Sequence, residues 1–337
     1  MNWHCGTSSR MESLELRGKY AEPNPQHLEL GHWLRPLILG LVLSSNFSAL
    51  TFAQTTVPPA ASVVPAGKPA ASAPAPVVNA AAQTAPVADA NGWTLTRTIA
   101  LAQPGPASVD RRGNLYVADN QNNVRQFGPD GQALNTYSPP QPGNTAQIEA
   151  WNTAKVLVFY DDRQQILLLD RFMAPLTQFR LPDMLDGLVR TATLAPDDRL
   201  WLLDESNLAL RQYDPAGQRM VVSTQMDLLI GRSKPDFRFM RQYQNNLYLV
   251  DRSSGIYVFD NLGNYRKKLP FPGLSSIGFR NDELYYLADN AVHFFHLYNL
   301  TDRTLPLPAG PADVRQVLLG EQFAYVLTSA GVLVYKL

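Results

Sequence analysis

Between Leu115 and Leu337 the chain repeats one short phrase six times: an apolar-aromatic strand, usually closed by an aspartate, a tight turn, then a second strand. Leu115-Tyr116-Val117-Ala118-Asp119 is followed by Leu157-Val158-Phe159-Tyr160-Asp161, Leu200-Trp201-Leu202-Leu203-Asp204 and Leu247-Tyr248-Leu249-Val250-Asp251. Tyr285-Tyr286-Leu287-Ala288-Asp289 and Ala324-Tyr325-Val326-Leu327-Thr328 complete the set. The closing residues stand at 119, 161, 204, 251, 289 and 328. A unit of about 40 residues built from short strands has the period of a β-propeller blade. Six such units imply an all-β, six-bladed propeller.

The first blade parses strand by strand. Ala107 to Val109 is the inner strand, Leu115 to Ala118 the second and Val124 to Phe127 the third. Pro129-Asp130-Gly131 then turns the chain into the outer strand, Gln132 to Tyr137. Ala174-Pro175, Pro215-Ala216-Gly217 and Asn261-Leu262-Gly263 are the turn signals expected in the next three units. Val, Leu, Tyr and Phe on both faces of these strands suit sheets packed on either side by neighbouring blades. After Val314 to Leu318, Phe323 to Leu327 and Gly331 to Tyr335 the last unit lacks a fourth strand. The alternating segment Trp93 to Ile99 is expected to supply it, closing the ring and removing exposed sheet edges.

Ahead of the repeats the chain reads as address and spacer. Arg35, the apolar run Pro36 to Leu43 and the small-residue exit to Ala53 have the order of a secretory signal peptide, here residues 1–53. The apolar core is only about eight residues, against roughly 20 for a membrane span; an uncleaved anchor is the alternative. Residues 54–92, dominated by Ala, Pro and Val, are expected to form a disordered linker, and 93–337 the propeller.

The motif Gly113-Asn114-Leu115-Tyr116-Val117-Ala118-Asp119, with Asn122, Arg125, Phe127 and Asp130-Gly131, resembles an NHL repeat of the six-bladed TolB-like propellers. It departs from that pattern after Asp119, where the loop is about one residue short and Val124-Arg125 is reversed. The resemblance fades in later units and implies scaffold rather than activity, since the architecture hosts lyases, lactonases, receptors and binding modules.

Composition narrows the chemistry. The 29 basic and 29 acidic residues cancel, giving no overall pull toward nucleic acid. The one cysteine, Cys5, precedes the repeats, and only His293 and His296 follow Trp93. A cysteine nucleophile, a thiolate site and a multi-histidine metal site are therefore excluded from the repeats. The aspartates closing the second strands read as turn caps rather than metal ligands. A calcium site assembled from separate blades would leave no local motif.

Two regions are candidates for binding. Glu149, Arg190, Arg238 and Arg315 fall near the expected starts of four inner strands, and three arginines at a channel mouth suit an anionic ligand. The longest connection, Ser223 to Asp236, carries Met226, Leu229, Arg232 and Lys234 as a candidate partner-binding loop; the alternative is that its apolar residues pack over the ring. The expectation is an exported, monomeric, non-catalytic binding or scaffolding propeller of the periplasm or envelope, without cofactor or metal. Its ligand would be a protein or a small anion. The rival is a divalent-cation-dependent lyase or lactonase-like hydrolase working in the channel.

Overall fold

The computed structural model describes residues 92–337, except 153, 232 and 233. The expected signal and linker segments, and Arg232, lie outside the described residues. Strand β1 (Thr94–Ala100) opens the fold. The first blade holds β2 (Ala107–Val109), β3 (Leu115–Ala118), β4 (Val124–Phe127) and β5 (Ala133–Tyr137). The second holds β6 (Thr145–Glu149), β7 (Lys155–Tyr160), β8 (Gln165–Asp170) and β9 (Pro175–Arg180). The third follows with β10 (Val189–Leu194), β11 (Leu200–Asp204), β12 (Ala209–Asp214) and β13 (Arg219–Gln225). A short helix, α1 (Asp227–Ile230), precedes the fourth blade: β14 (Phe237–Tyr243), β15 (Asn246–Asp251), β16 (Gly255–Asp260) and β17 (Tyr265–Leu269). The fifth comprises β18 (Gly278–Arg280), β19 (Glu283–Ala288), β20 (Ala291–His296) and β21 (Asp302–Pro306). The sixth has β22 (Gln316–Leu319), β23 (Phe323–Thr328) and β24 (Gly331–Lys336).

Each blade is a four-stranded antiparallel sheet, and the sixth takes β1 as its outer strand in the order β1-β24-β23-β22. Thr98 pairs with Leu333 and Ala100 with Gly331. The first strand thus closes the ring onto the last blade.

Alternation along each second strand explains why both faces are apolar. Leu115 and Val117 pack toward the sixth blade with Leu318, Tyr325 and Val334. Their neighbours Tyr116 and Ala118 point the other way, onto Ile148, Val158 and Leu167 of the second blade. The same division recurs around the ring, with a buried apolar cluster at each junction between blades. Outer strands such as β5 and β9 are largely exposed.

Turn chemistry differs in detail from the expectation. Gly131 and Gly263 take the left-handed conformation, with φ of 79° and 82°, beside a bulge in the outer hairpin. In the second blade that place belongs to Met173, and Pro175 already begins β9. In the third it belongs to Gln218 rather than Gly217. An aspartate supports each of these non-glycine turns. Asp170 Oδ1 accepts the Phe172 and Ala174 N–H groups, and Asp214 Oδ1 those of Ala216 and Gly217.

Candidate binding site at the central axis

The inner strands β2, β6, β10, β14, β18 and β22 surround the axis, and side chains bridge several of them. Thr191 Oγ1 donates to Gln147 Oε1 at 2.6 Å, and Gln147 Nε2 donates to the Ala192 carbonyl at 2.7 Å. The Gln242 N–H donates to Thr193 Oγ1, the Ala150 N–H to Ser108 Oγ, and the Leu319 N–H to the Tyr285 hydroxyl. The axis has a first mouth where the inner strands begin and a second where they end.

At the first mouth Arg238 and Arg315 line one cavity of about 280 Å³ with Ser275, Ser276 and Gln316. Arg190 is the second residue of β10 and donates from Nε to the Phe237 carbonyl at 3.2 Å. Arg238 is held by Asp236 at 2.7 Å and Arg315 by Asp313 at 3.4 Å. Among the described residues Arg190 forms no ion pair, so it adds net positive charge.

Glu149 does not join them. It is the last residue of β6, not a residue near its start, and therefore belongs to the second mouth. The spacing could have revealed this, since Glu149 precedes Lys155 by the same interval that separates Val109 from Leu115 and Leu194 from Leu200. Its carboxylate is buried and faces Arg241 of the fourth blade, with Oε2 3.4 Å from Nε. Burial pushes the Glu149 carboxyl above its ordinary value, against the opposing pull of Arg241 and the hydrogen bonds involving Thr193 and Leu194.

The second mouth opens into a cavity of about 270 Å³ bordered by Arg111, Glu149, Trp151 and Gln242. A second, of about 350 Å³, shares Arg111 and Trp151 and adds Tyr243, Phe279 and Arg280. Trp151 is half-buried at this mouth and packs against the cluster between the fourth and fifth blades. Trp201, Tyr243 and Tyr248 are buried between blades.

The long connection divides its candidates. Met226 is fully buried and packs with Ile230 against Trp201 and Phe237, so it is unavailable to a partner. Leu229 is half-buried against the same cluster, whereas Lys234 is exposed. Among the described large apolar side chains of this loop Leu228 is the most exposed, at 90%.

The strand-closing aspartates act largely as caps. Asp119 Oδ1 accepts the Gln121 and Asn123 N–H groups. Asp204 is buried against Arg211 and Asn207, while Asp251 accepts the Asp236 N–H and the Ser253 and Ser254 hydroxyls. His293 stacks on Tyr286, and His296 Nδ1 accepts N–H groups from Tyr298 and Asn299. Among the described residues no cluster of three or more His, Cys, Asp or Glu is placed to hold a metal ion. Among them, too, no helix is long and apolar enough to cross a membrane.

No family model matches the chain, and no curated protein matches it in sequence. Solved structures do match in shape. A streptogramin B lyase superposes with a TM-score of 0.54 at 12% identity, covering 72% of this chain and 96% of that one. A protein of unknown function from Bacteroides thetaiotaomicron gives 0.52 at 12% identity, covering 74% and 72%. A catalytically inactive histidine-to-alanine variant of virginiamycin B lyase from Staphylococcus aureus, solved with quinupristin, gives 0.50 at 13%, covering 72% and 98%. At these identities the likeness concerns the fold alone: the chain is an all-β, six-bladed propeller.

Proposed function

We propose that this protein is an exported, non-catalytic propeller serving as a binding or scaffolding module in the periplasm or cell envelope. It takes a protein or a small anionic ligand at the first mouth. The reading rests on one observation: Arg238 and Arg315, from the fourth and sixth blades, line a single cavity. A guanidinium carries five donors, so an arginine steadied by one carboxylate keeps others for an anion. Arg190 and the Ser275 and Ser276 pair extend the same rim. The NHL-like motif of the first blade fits such a scaffold, and residues 1–53 and 54–92 serve as signal peptide and linker, with the mature chain beginning at Gln54.

The rival lyase or hydrolase reading needs a poised acid-base group or a held cation. The histidine-to-alanine lyase variant is described as catalytically inactive. Here His293 stacks on Tyr286 with its Nε2 buried and unpartnered, and His296 serves a turn, so the two do not converge on one site. Titration with inorganic phosphate and with citrate, followed by thermal shift, tests the binding reading. An anion-dependent rise in Tm should disappear in the Arg238→Gln/Arg315→Gln double variant. A rise that survives the double variant would discard the first mouth as the site. Stabilisation by calcium or zinc, about 2.7 kcal/mol at a hundredfold excess over Kd, abolished by removing an acidic residue at a mouth, would promote the hydrolase instead.

A further inference from the structure

Where the second strand of a blade reaches the first mouth, it is ordinarily bonded to the chain entering the inner strand of the same blade. The Ala118 N–H donates to the Pro106 carbonyl, and the Ala118 carbonyl accepts the Gly105 N–H. The Leu327 carbonyl accepts the Arg315 N–H, the Glu205 N–H donates to the Leu188 carbonyl, and the Arg252 N–H to the Asp236 carbonyl. In the second blade Thr145 pairs with Tyr160. The fifth blade differs. There β18 pairs with β19 only at Gly278–Tyr285, Phe279–Leu284 and Arg280–Glu283. Among the described residues no backbone hydrogen bond joins residues 270–277 to β19.

Side-chain packing accounts for the gap. Leu274 and Ile277 are buried in the cluster between the fourth and fifth blades, whereas Tyr285 belongs to the cluster facing the sixth. The Tyr285 hydroxyl accepts the Leu319 N–H, and its ring crosses so close to Gly278 that a side chain there would collide with it. The chain is thus drawn off β19 ahead of Gly278. The β19–β20 hairpin closes on the pair Ala288–Ala291, with Asp289 and Asn290 in the left-handed conformation. Bonded pairs alternate along an antiparallel ladder, so the N–H and carbonyl of Leu287 point away from β20, toward the missing inner strand. Among the described residues neither group has a partner. A cavity of about 130 Å³ lies there, lined by residues 273–278, 285–287 and 315–318. It shares Ser275, Ser276, Arg315 and Gln316 with the larger cavity of the first mouth.

We propose that this slot takes the C-terminal end of a polypeptide, whose last residue adds to β19 in place of the missing inner strand. Such a ligand deepens the reading of the first mouth as an anion site, on which it rests. The N–H of the last residue donates to the Leu287 carbonyl. One oxygen of its carboxylate accepts the Leu287 N–H, and the other takes donors from the Arg315 guanidinium and the Ser276 hydroxyl. The preceding residues leave through the larger cavity, past Arg238. Three features select a chain end. A bare carboxylate such as acetate satisfies Arg315 but leaves the Leu287 carbonyl without a donor. A chain running through the slot would need an exit, which the pairing of Gly278 with Tyr285 closes. The inner end is small, about 130 Å³, which limits the last residue to a short side chain.

The probe is N-acetyl-trialanine with a free carboxylate, titrated by calorimetry into the full chain beside its C-terminal amide, its analogue N-methylated at the last peptide bond, and acetate. The free acid should bind saturably. Amidation removes the charge and N-methylation the donor, and each should weaken binding at least about tenfold. Arg315→Gln should weaken the free acid by a similar factor, with circular dichroism melts to confirm that the variant is folded. Acetate should bind more weakly than the free acid. In hydrogen exchange followed by NMR, the Leu287 amide of the unliganded protein should exchange faster than that of Ala118, and the free acid should protect it. Absence of saturable binding by the free acid, equal affinity of the N-methylated peptide, or a Leu287 amide left unprotected at saturation each overturns the proposal. If phosphate still binds through Arg238 and Arg315 in that event, the anion reading of the first mouth stands; if phosphate fails as well, both fall.

Discussion

The two mouths arise from the same repeated blade, yet they balance charge in opposite ways. At the first, Arg238 and Arg315 each meet an aspartate two positions earlier in the chain, and both pairs are in contact with solvent. At the second, Glu149 of the second blade meets Arg241 of the fourth, and both are buried. Exposed local pairs contribute only about 0–1 kcal/mol because water screens them and the side chains lose freedom. A buried pair has lost its hydration, so removing one partner strands the other at a cost of about 3–5 kcal/mol. The difference teaches that the first mouth can exchange its partners for a ligand cheaply. The second is committed to a fixed arrangement in which each charge depends on the other.

Ring closure gives the largest test of this contrast. Deleting residues 93–100 removes β1 and leaves β24 as an edge, and should cost several kcal/mol out of a typical stability of about 5–15 kcal/mol. Denaturant melts should fall sharply, and the Glu149–Arg241 coupling should weaken with them, because it spans two blades of the closed ring. An unchanged melting point would show that β1 does not close the ring. Next, Arg241→Ala should destabilise by about 3–5 kcal/mol through the stranded Glu149 carboxylate, with Glu149→Gln/Arg241→Met recovering much of that loss. Chemical denaturation of the single and double variants measures the coupling, and additive losses would refute the pairing. Arg238→Ala and Arg315→Ala should each change stability by about 0–1 kcal/mol; a larger loss in either would put the first mouth on the same footing as the second.

The smallest effects are pH slopes of opposite sign. The Glu149 carboxyl is raised by burial, so between its unfolded and folded values the folded protein holds a proton that the unfolded chain has released. Stability then falls as pH rises through that window. Asp251, on the first-mouth side, behaves inversely. Burial would raise its carboxyl, but hydrogen bonds from Ser254, Ser253 and the Asp236 N–H together bring it below its ordinary value. Its contribution is full above the unfolded value and is lost as pH falls through the folded one. Melts across acidic pH should show Glu149→Gln and Asp251→Asn altering the slope in opposite directions.

Much of this fold is legible in the chain because its causes are local. The spacing of the strand-closing residues counts the blades, and apolar residues of both parities, Leu115 beside Tyr116, announce sheets buried on both faces. The aspartate caps at Asp119 and Asp251 bond to backbone within a few residues, so their role is legible as well. Other features are not local. Glu149 closes β6 and finds its partner two blades away; Met226 turns inward against Trp201; Trp151 stands at a mouth while Trp201 is sealed between blades. In isolation each of these residues has the same chemistry at either location. Repeat period, strand parity and turn chemistry are properties of neighbours along the chain, and sequence alone determined them. Which inner-strand side chains converge on the axis, and which charges lose their water there, only the tertiary structure decided, because six separate strands must first be brought around one ring.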